Sequence, residues 1–154
     1  MNQTIQSKIK NKIQEDISPT RNLSGIHLKI VFGIAILWTF FQLWYASPFP
    51  FWFNFGMFKG LPARAIHLGF ALTLTFLIFP MIREKKISAF DILISIVAAF
   101  CCLYIYFFYD DLVNRGGILL IREIFGFKVP VELIIGATGI LILLEATRRA
   151  IGLP

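Results

Sequence analysis

The chain has 154 residues, 57% of them hydrophobic and only 16% charged, with a net charge of +6 and a mean hydropathy of +0.74. Water-soluble domains average ~45–50% apolar residues with about a quarter charged, so this composition excludes an ordinary soluble globule and fits one membrane domain. Lys and Arg lie between apolar runs rather than along one amphipathic face, which reads as topological charge and argues against nucleic acid as the partner.

Residues 1–25 are polar and contain no apolar run followed by a small-residue cleavage site, so they are not a cleavable leader. Within them Ile5, Ile9, Ile13 and Ile17 recur every four residues, with Lys8, Lys10, Lys12, Gln14 and Asp16 between, and Ser18-Pro19 follows. That spacing predicts a short amphipathic helix with a basic face. Its place beside the first apolar run suits the cytoplasmic membrane interface. Docking into a partner's groove and a disordered tail are the alternatives, since an isolated helix of this length is marginal in water.

Residues 26–154 form the membrane domain. Four stretches approach the ~17–25 apolar residues that a spanning helix needs: 26–46, 66–82, 90–109 and 131–146. The expected fold is therefore all-α and integral to the membrane, four transmembrane helices preceded by the short amphipathic one. Between the first two spans, Pro48-Phe49-Pro50-Phe51-Trp52-Phe53 has the composition of an aromatic belt at headgroup level. Ser88 and Asp91 give the third span a capping-box start. The stretch from Asp110 to Lys128 is expected to carry a short helix over Ile118 to Phe127. Pro130 suits the first position of the fourth helix, with Glu132 near its positive end. Gly136 and Gly139 read as close-packing positions between helices.

Orientation follows from the cations. Ten (Lys8, Lys10, Lys12, Arg21, Lys29, Arg83, Lys85, Lys86, Arg148 and Arg149) fall on one side, and five (Lys59, Arg64, Arg115, Arg122 and Lys128) on the other. The richer side is cytoplasmic, which places both termini there.

Little in this pattern supports chemistry. His27 and His67 are expected near span ends on opposite sides of the membrane, so they do not share a metal. Cys101 and Cys102 are adjacent in an apolar run and read as small buried fillers without disulfide or ligand spacing. No nucleophile–base pair, phosphate-cradling glycine loop or CxxC motif is present, and no cofactor is expected in this chain. The polar residues that do stand out are Glu145 with Arg148 and Arg149, at the i,i+3 and i,i+4 spacings that allow bridging on one helix face. Arg64, His67 and Arg115 stand at the outer mouth, where they meet either a binding protein or lipid phosphates and backbone carbonyls.

Several stretches then add up in order. Phe41-Gln42-Leu43-Trp44-Tyr45-Ala46 closes the first span, and Arg64-Ala65-Ile66-His67-Leu68-Gly69-Phe70-Ala71 opens the second, which ends Phe76-Leu77-Ile78-Phe79-Pro80. Asp91-Ile92-Leu93 begins the third, Leu112-Val113-Asn114-Arg115-Gly116-Gly117 follows it, and the chain finishes Leu144-Glu145-Ala146-Thr147-Arg148-Arg149-Ala150-Ile151-Gly152-Leu153-Pro154. From about Phe32 onward this set resembles the N-terminal, small-subunit-like (four-helix, DctQ-like) region of the fused permease of tripartite ATP-independent periplasmic (TRAP) transporters, TAXI-associated type.

The resemblance implies a scaffold in the bacterial inner membrane that packs on a large multi-helix permease domain or subunit. That partner carries the substrate and sodium sites, and a periplasmic TAXI-type binding protein delivers a small organic, often carboxylate, solute to it. The family's permease continues past the Gly-Leu-Pro, so the expectation is either a separate small subunit or a fragment, without the substrate and sodium residues. The alternative is a small autonomous carrier acting as a homo-oligomer, against which the absence of a charged residue at depth in the first three spans counts.

Overall fold

The computed structural model describes residues 20–21, 23–81, 87–116, 118–119, 121–124 and 127–151. The expected amphipathic helix over residues 5–17 lies outside these, as do Arg83, Lys85 and Lys86. The described elements are α1 (Ile26–Ala46), α2 (Phe49–Phe53), α3 (Gly60–Ile78), α4 (Ala89–Phe107), α5 (Tyr109–Asn114), β1 (Ile121–Ile124), β2 (Phe127–Pro130) and α6 (Val131–Ile151).

Three of these helices, α1, α3 and α4, are long and apolar enough to cross a membrane. α6 matches them in length but carries Glu132, Glu145, Arg148 and Arg149. α3 starts six residues before the expected 66, because Pro62 falls in its first turn, where the missing N–H has no partner to lose. It stops at Ile78 rather than 82: Phe79 precedes Pro80 and is extended, with φ −101° and ψ 103°, as the proline ring requires of the residue before it. α4 closely follows the expected span, and the Ser88 hydroxyl accepts from the Phe90 N–H at its start. α6 runs past the expected Ala146 to Ile151, carried by the ion pairs described below.

The connection after α5 corrects the all-α expectation. Where a helix was expected over 118–127, β1 and β2 pair antiparallel, with Ile121 opposite Pro130 and Ile124 opposite Phe127. The sequence accounts for this once its period is read correctly: β-branched Ile121, Ile124 and Val129 flank a glycine-containing dipeptide, a hairpin pattern. Pro130, expected to open the last helix, instead ends β2 immediately before it.

α3 is the centre of the packing. It lies against α1 on one side and against α4 and α6 on the other, and α4 also packs on α6. One core cluster joins Leu72 and Phe76 of α3, Ala98 and Cys102 of α4, and Ile142 and Ala146 of α6. A second joins Val31 of α1 to Leu74 and Leu77 of α3, with Leu23 and Trp38 packed against it. The tightest approach is at Gly69, where an added Cβ would stand 3.2 Å from the Cys102 Cβ. Gly139 has only an ordinary 3.9 Å neighbour and Gly136 faces open space, so these two are not the close-packing positions expected of them.

Beyond the core, the helices present apolar surface. Only 6% of the apolar window of α1 is buried, against 44% of that of α3. Phe32, Leu37, Phe40 and Leu43 stand exposed along α1, as do Leu93, Ile96 and Phe100 on α4 and Ile140, Leu141 and Leu144 on α6. A protein in water rarely shows contiguous apolar patches of this extent, so hydrocarbon is the natural solvent for these faces.

The Ser47–Lys59 connection folds into an aromatic corner. Trp44 stacks on Phe53 and meets Phe55 edge-on, with Asn54 in the left-handed conformation at φ 50°. Gly56 is required there twice over: its φ is +67°, and a Cβ would stand 2.8 Å from the Trp44 Nε1. Phe51, Trp52, Phe53 and Phe55 remain exposed, as a headgroup-level belt would be.

Candidate functional site: a charged lock at one end of the bundle

Four segments converge where α3 and α6 end and α4 begins. Glu145 and Arg149 lie one helical turn apart on α6, and the Arg149 Nε donates to the Glu145 Oε1 at 2.7 Å. Arg148 grips the same carboxylate with two donors, Nε to Oε2 at 2.8 Å and Nη2 to Oε1 at 2.9 Å. The i,i+3 and i,i+4 bridges expected from the spacing are therefore both made.

Arg149 reaches further. Its Nη1 donates to the Asp91 Oδ1 at 2.7 Å and to the Phe79 carbonyl at 3.4 Å, and its guanidinium carbon lies 5.0 Å from the centroid of the fully buried Phe76 ring. The other oxygen of Asp91, Oδ2, accepts from the Arg21 Nη2 at 2.6 Å. Arg21 also donates through Nη1 to the Leu77 carbonyl and through its backbone N–H to Ile78. The result is an alternating chain, Arg21–Asp91–Arg149–Glu145–Arg148, in which each carboxylate sits between two guanidiniums.

Burial grades along that chain. The side chains of Arg21, Asp91 and Arg149 are 1–2% exposed, whereas Glu145 is 26% and Arg148 40% exposed. Charges this deep cost several kcal/mol each to desolvate, a cost offset only by close, multiply bonded opposite charges. The Asp91 arrangement meets that condition with one short bond on each oxygen.

Neither Asp91 nor Arg21 stands out in the sequence as a site residue: Asp91 reads as a first-turn acid and Arg21 as topological charge. Their partners lie 58 and 70 residues away, so no local spacing announces them. The only trace is a lone acid in the first turn of an otherwise uncharged helix.

The remaining sequence-selected residues lie elsewhere. Arg115 pairs with Glu132 in the first turn of α6 at 2.5 Å, and its Nε donates to the Asp111 carbonyl. Close by in sequence, Lys59 pairs with Asp110 and sits over the Tyr109 ring.

Arg64 and His67 come together on α3, both exposed, lining a pocket with Gln42 and Tyr45 of α1. His67 is eight residues into α3, about 10 Å from its start at 1.5 Å per residue, deeper than the span edge expected for it. There its Nδ1 faces the Trp38 Nε1 at 3.3 Å and the Gln42 Nε2 at 2.7 Å. Two donors on Nδ1 make that nitrogen the acceptor and put the ring proton on Nε2. His27 stands about 16 Å along α1 from Trp38, so the two imidazoles are at different depths. Cys101 and Cys102 are free, buried thiols within the helix packing.

Chemically, the lock can fix the relative positions of α3, α4, α6 and the segment before α1. It offers no nucleophile beside a base, and its carboxylates are engaged by guanidiniums. No family model, curated protein or solved structure matches this chain.

Proposed function

We propose that this chain is an accessory, scaffold-type membrane domain of a sodium-driven, binding-protein-dependent uptake transporter of the TRAP (TAXI-associated) kind. α6 is its fourth span, the bacterial inner membrane its location, and the cytoplasm the side of both termini. The observation that carries this reading is the lock itself, formed by two of the motifs on which the resemblance rests. Asp91 of the Asp91-Ile92-Leu93 stretch and Arg149 of the closing Glu145–Arg149 stretch bond directly at 2.7 Å.

A static support needs fixed helix geometry and an apolar exterior, and both are present. A carrier needs a polar path or broken helix near mid-membrane. Here the charged side chains of the long helices fall near their ends: Lys29 in the first turn of α1, Arg64 in the second of α3, Asp91 in the first of α4, Glu132 in the first of α6, and Glu145, Arg148 and Arg149 in its last two. The transported solute, a small organic and typically carboxylate compound, and the sodium ions then belong to a large multi-helix permease partner. A periplasmic TAXI-type protein supplies the solute.

The test is co-expression of the tagged chain with a TAXI-associated large permease subunit, followed by capture in mild detergent. A stable complex that transports only when both parts are reconstituted is the expected result. Sodium-driven uptake by proteoliposomes holding this chain alone would overturn the scaffold role in favour of an autonomous carrier.

A further inference from the structure

At the end of the bundle opposite the lock, α6 does not close fully on the α3–α4 pair. They leave a groove of about 270 Å³ lined by Leu68, Ile105, Ile135, Gly136, Gly139 and Leu143, with Glu132 contributing at its mouth. Its inner end is shut by the Leu72–Ala98–Cys102–Ile142 core. We infer that this groove holds one acyl chain of a phospholipid from the leaflet on the Glu132 side, with the lipid phosphate at Arg115. The inference rests on the reading of α6 as a membrane span.

Three observations select this occupant. Depth is the first. From Glu132 to Leu143 the groove follows α6 for eleven residues, about 16 Å at 1.5 Å per residue, which matches half of a hydrocarbon core ~30 Å thick. A partner helix would instead ask for a seam along the whole span.

Width is the second. A groove of about 270 Å³ is too small to take in a helix ~10–12 Å across along ~16 Å, whereas a thin flexible chain can enter it. The glycines explain the groove: a Cβ on Gly136 would meet nothing within 4 Å, so the missing side chain is what keeps the space open.

Polarity is the third. The walls are apolar except at the Glu132 end, where Arg115 stands with its side chain 27% exposed. Its Nη2 serves Glu132, its Nε the Asp111 carbonyl, and Nη1 is buried, so a phosphate meets the exposed part of the side chain. A phosphate oxygen supplies an acceptor of the right charge, and a guanidinium binds it through a charge-assisted bond.

The test uses the full chain, extracted in mild detergent and analysed by native mass spectrometry after exposure to phosphatidylethanolamine or to diacylglycerol with the same acyl chains. Wild type is expected to retain one phospholipid and to prefer it at least tenfold over diacylglycerol. Gly136→Leu places a side chain in the groove from a Cβ that meets nothing within 4 Å and should cut retention at least tenfold while helicity and detergent gel-filtration behaviour stay unchanged. Gly139→Leu serves as the second filling variant. Gly33→Leu, on α1 where a Cβ also meets nothing, should retain lipid as wild type does. Arg115→Gln should keep the chain but lose the preference for phospholipid.

Wild-type retention in both groove-filling variants, or equal loss in Gly33→Leu, would overturn the site. Equal retention of diacylglycerol by wild type would overturn the phosphate contact. A failure to capture a large permease leaves these readouts unaffected, and a chain that purifies without detergent would instead refute the membrane reading.

Discussion

Neutralising Asp91 tests the lock at its most buried point. In Asp91→Asn the shape is kept, but one oxygen becomes an amide whose hydrogens face a guanidinium. Removing one member of a buried ion pair typically costs about 3–5 kcal/mol, because the remaining charge stays desolvated. Here Arg149 keeps Glu145, the Phe79 carbonyl and the Phe76 ring, and Arg21 keeps the Leu77 carbonyl, which places the loss near the lower end, about 3 kcal/mol. Glu145→Gln removes a carboxylate that is 26% exposed, beside an Arg148 that is 40% exposed, so solvent screening reduces its cost to about 1–2 kcal/mol. At about 2–4 °C per kcal/mol for a chain of this size, Asp91→Asn lowers the unfolding midpoint in detergent by about 6–12 °C and Glu145→Gln by about 2–8 °C. Intrinsic fluorescence of Trp38, Trp44 and Trp52 reports the transition. The ordering matters more than either value. A Glu145→Gln loss equal to or larger than that of Asp91→Asn would refute the claim that burial sets the strength of this network. A double-mutant cycle between Asp91→Asn and Arg21→Gln should show a coupling of about 1–3 kcal/mol, as for direct partners.

Other consequences follow from the packing. Gly69→Val forces α3 away from Cys102 and should cost about 1–3 kcal/mol by overpacking, read as a lowered midpoint, while Gly136→Ala should be neutral or gain up to about 1 kcal/mol from helix propensity. Gly56→Ala combines a positive φ with a contact on Trp44 and should alter the Trp fluorescence spectrum as well as lower the midpoint. His67→Leu leaves the Trp38 and Gln42 donors without their acceptor, an expected loss of about 1 kcal/mol that His67→Gln partly restores. Asp110→Asn breaks an ion pair whose side chains are more than half exposed and should shift the midpoint by no more than about 1 kcal/mol equivalent, an effect that vanishes at high salt. Cys101 and Cys102 should resist a membrane-permeant maleimide until the chain is denatured, as judged by mass.

What the sequence makes legible is whatever depends on neighbours along the chain. Three long apolar helices, the Ser88 cap and the Glu145–Arg148–Arg149 bridges all follow from runs and spacings of a few residues. Helix ends are harder where proline position matters more than hydropathy: Pro62 is tolerated in the first turn of α3, whereas Pro80 halts the same helix four residues short of its apolar run. The hairpin at Ile121–Pro130 is missed because short apolar stretches fit either period, and the β-branched residues and their glycine decide the matter. Asp91 and Arg21 are illegible for a different reason. Their pairing is created by the packing of α3, α4 and α6, and nothing in the sequence near either residue encodes a partner in another helix.

The two ends of the bundle are held by different physics, and the difference bears on how such a unit deforms. At the lock, three side chains are at most 2% exposed and make three bonds of 2.6–2.7 Å with one another and Glu145, and two longer ones to the Leu77 and Phe79 carbonyls, across four segments of chain. Small displacements there break several bonds to buried charges at once, so the energy rises steeply. At the opposite end the ties are an exposed Lys59–Asp110 pair and a partly exposed Arg115–Glu132 pair, beside a groove between α6 and the α3–α4 pair. Exposed pairs are worth at most about 1 kcal/mol each and re-form at little cost after a shift. The bundle is therefore stiff at one end and compliant at the other, and side chains or lipid entering the groove change the spread of the compliant end without disturbing the lock. Hydrogen exchange should show this directly. The amides of the last turns at the lock, Thr75–Ile78 and Ala146–Arg149, should exchange more slowly than those of the last turn of α4 at the opposite end, Tyr104–Phe107, and an equal rate at both ends would remove the mechanical distinction.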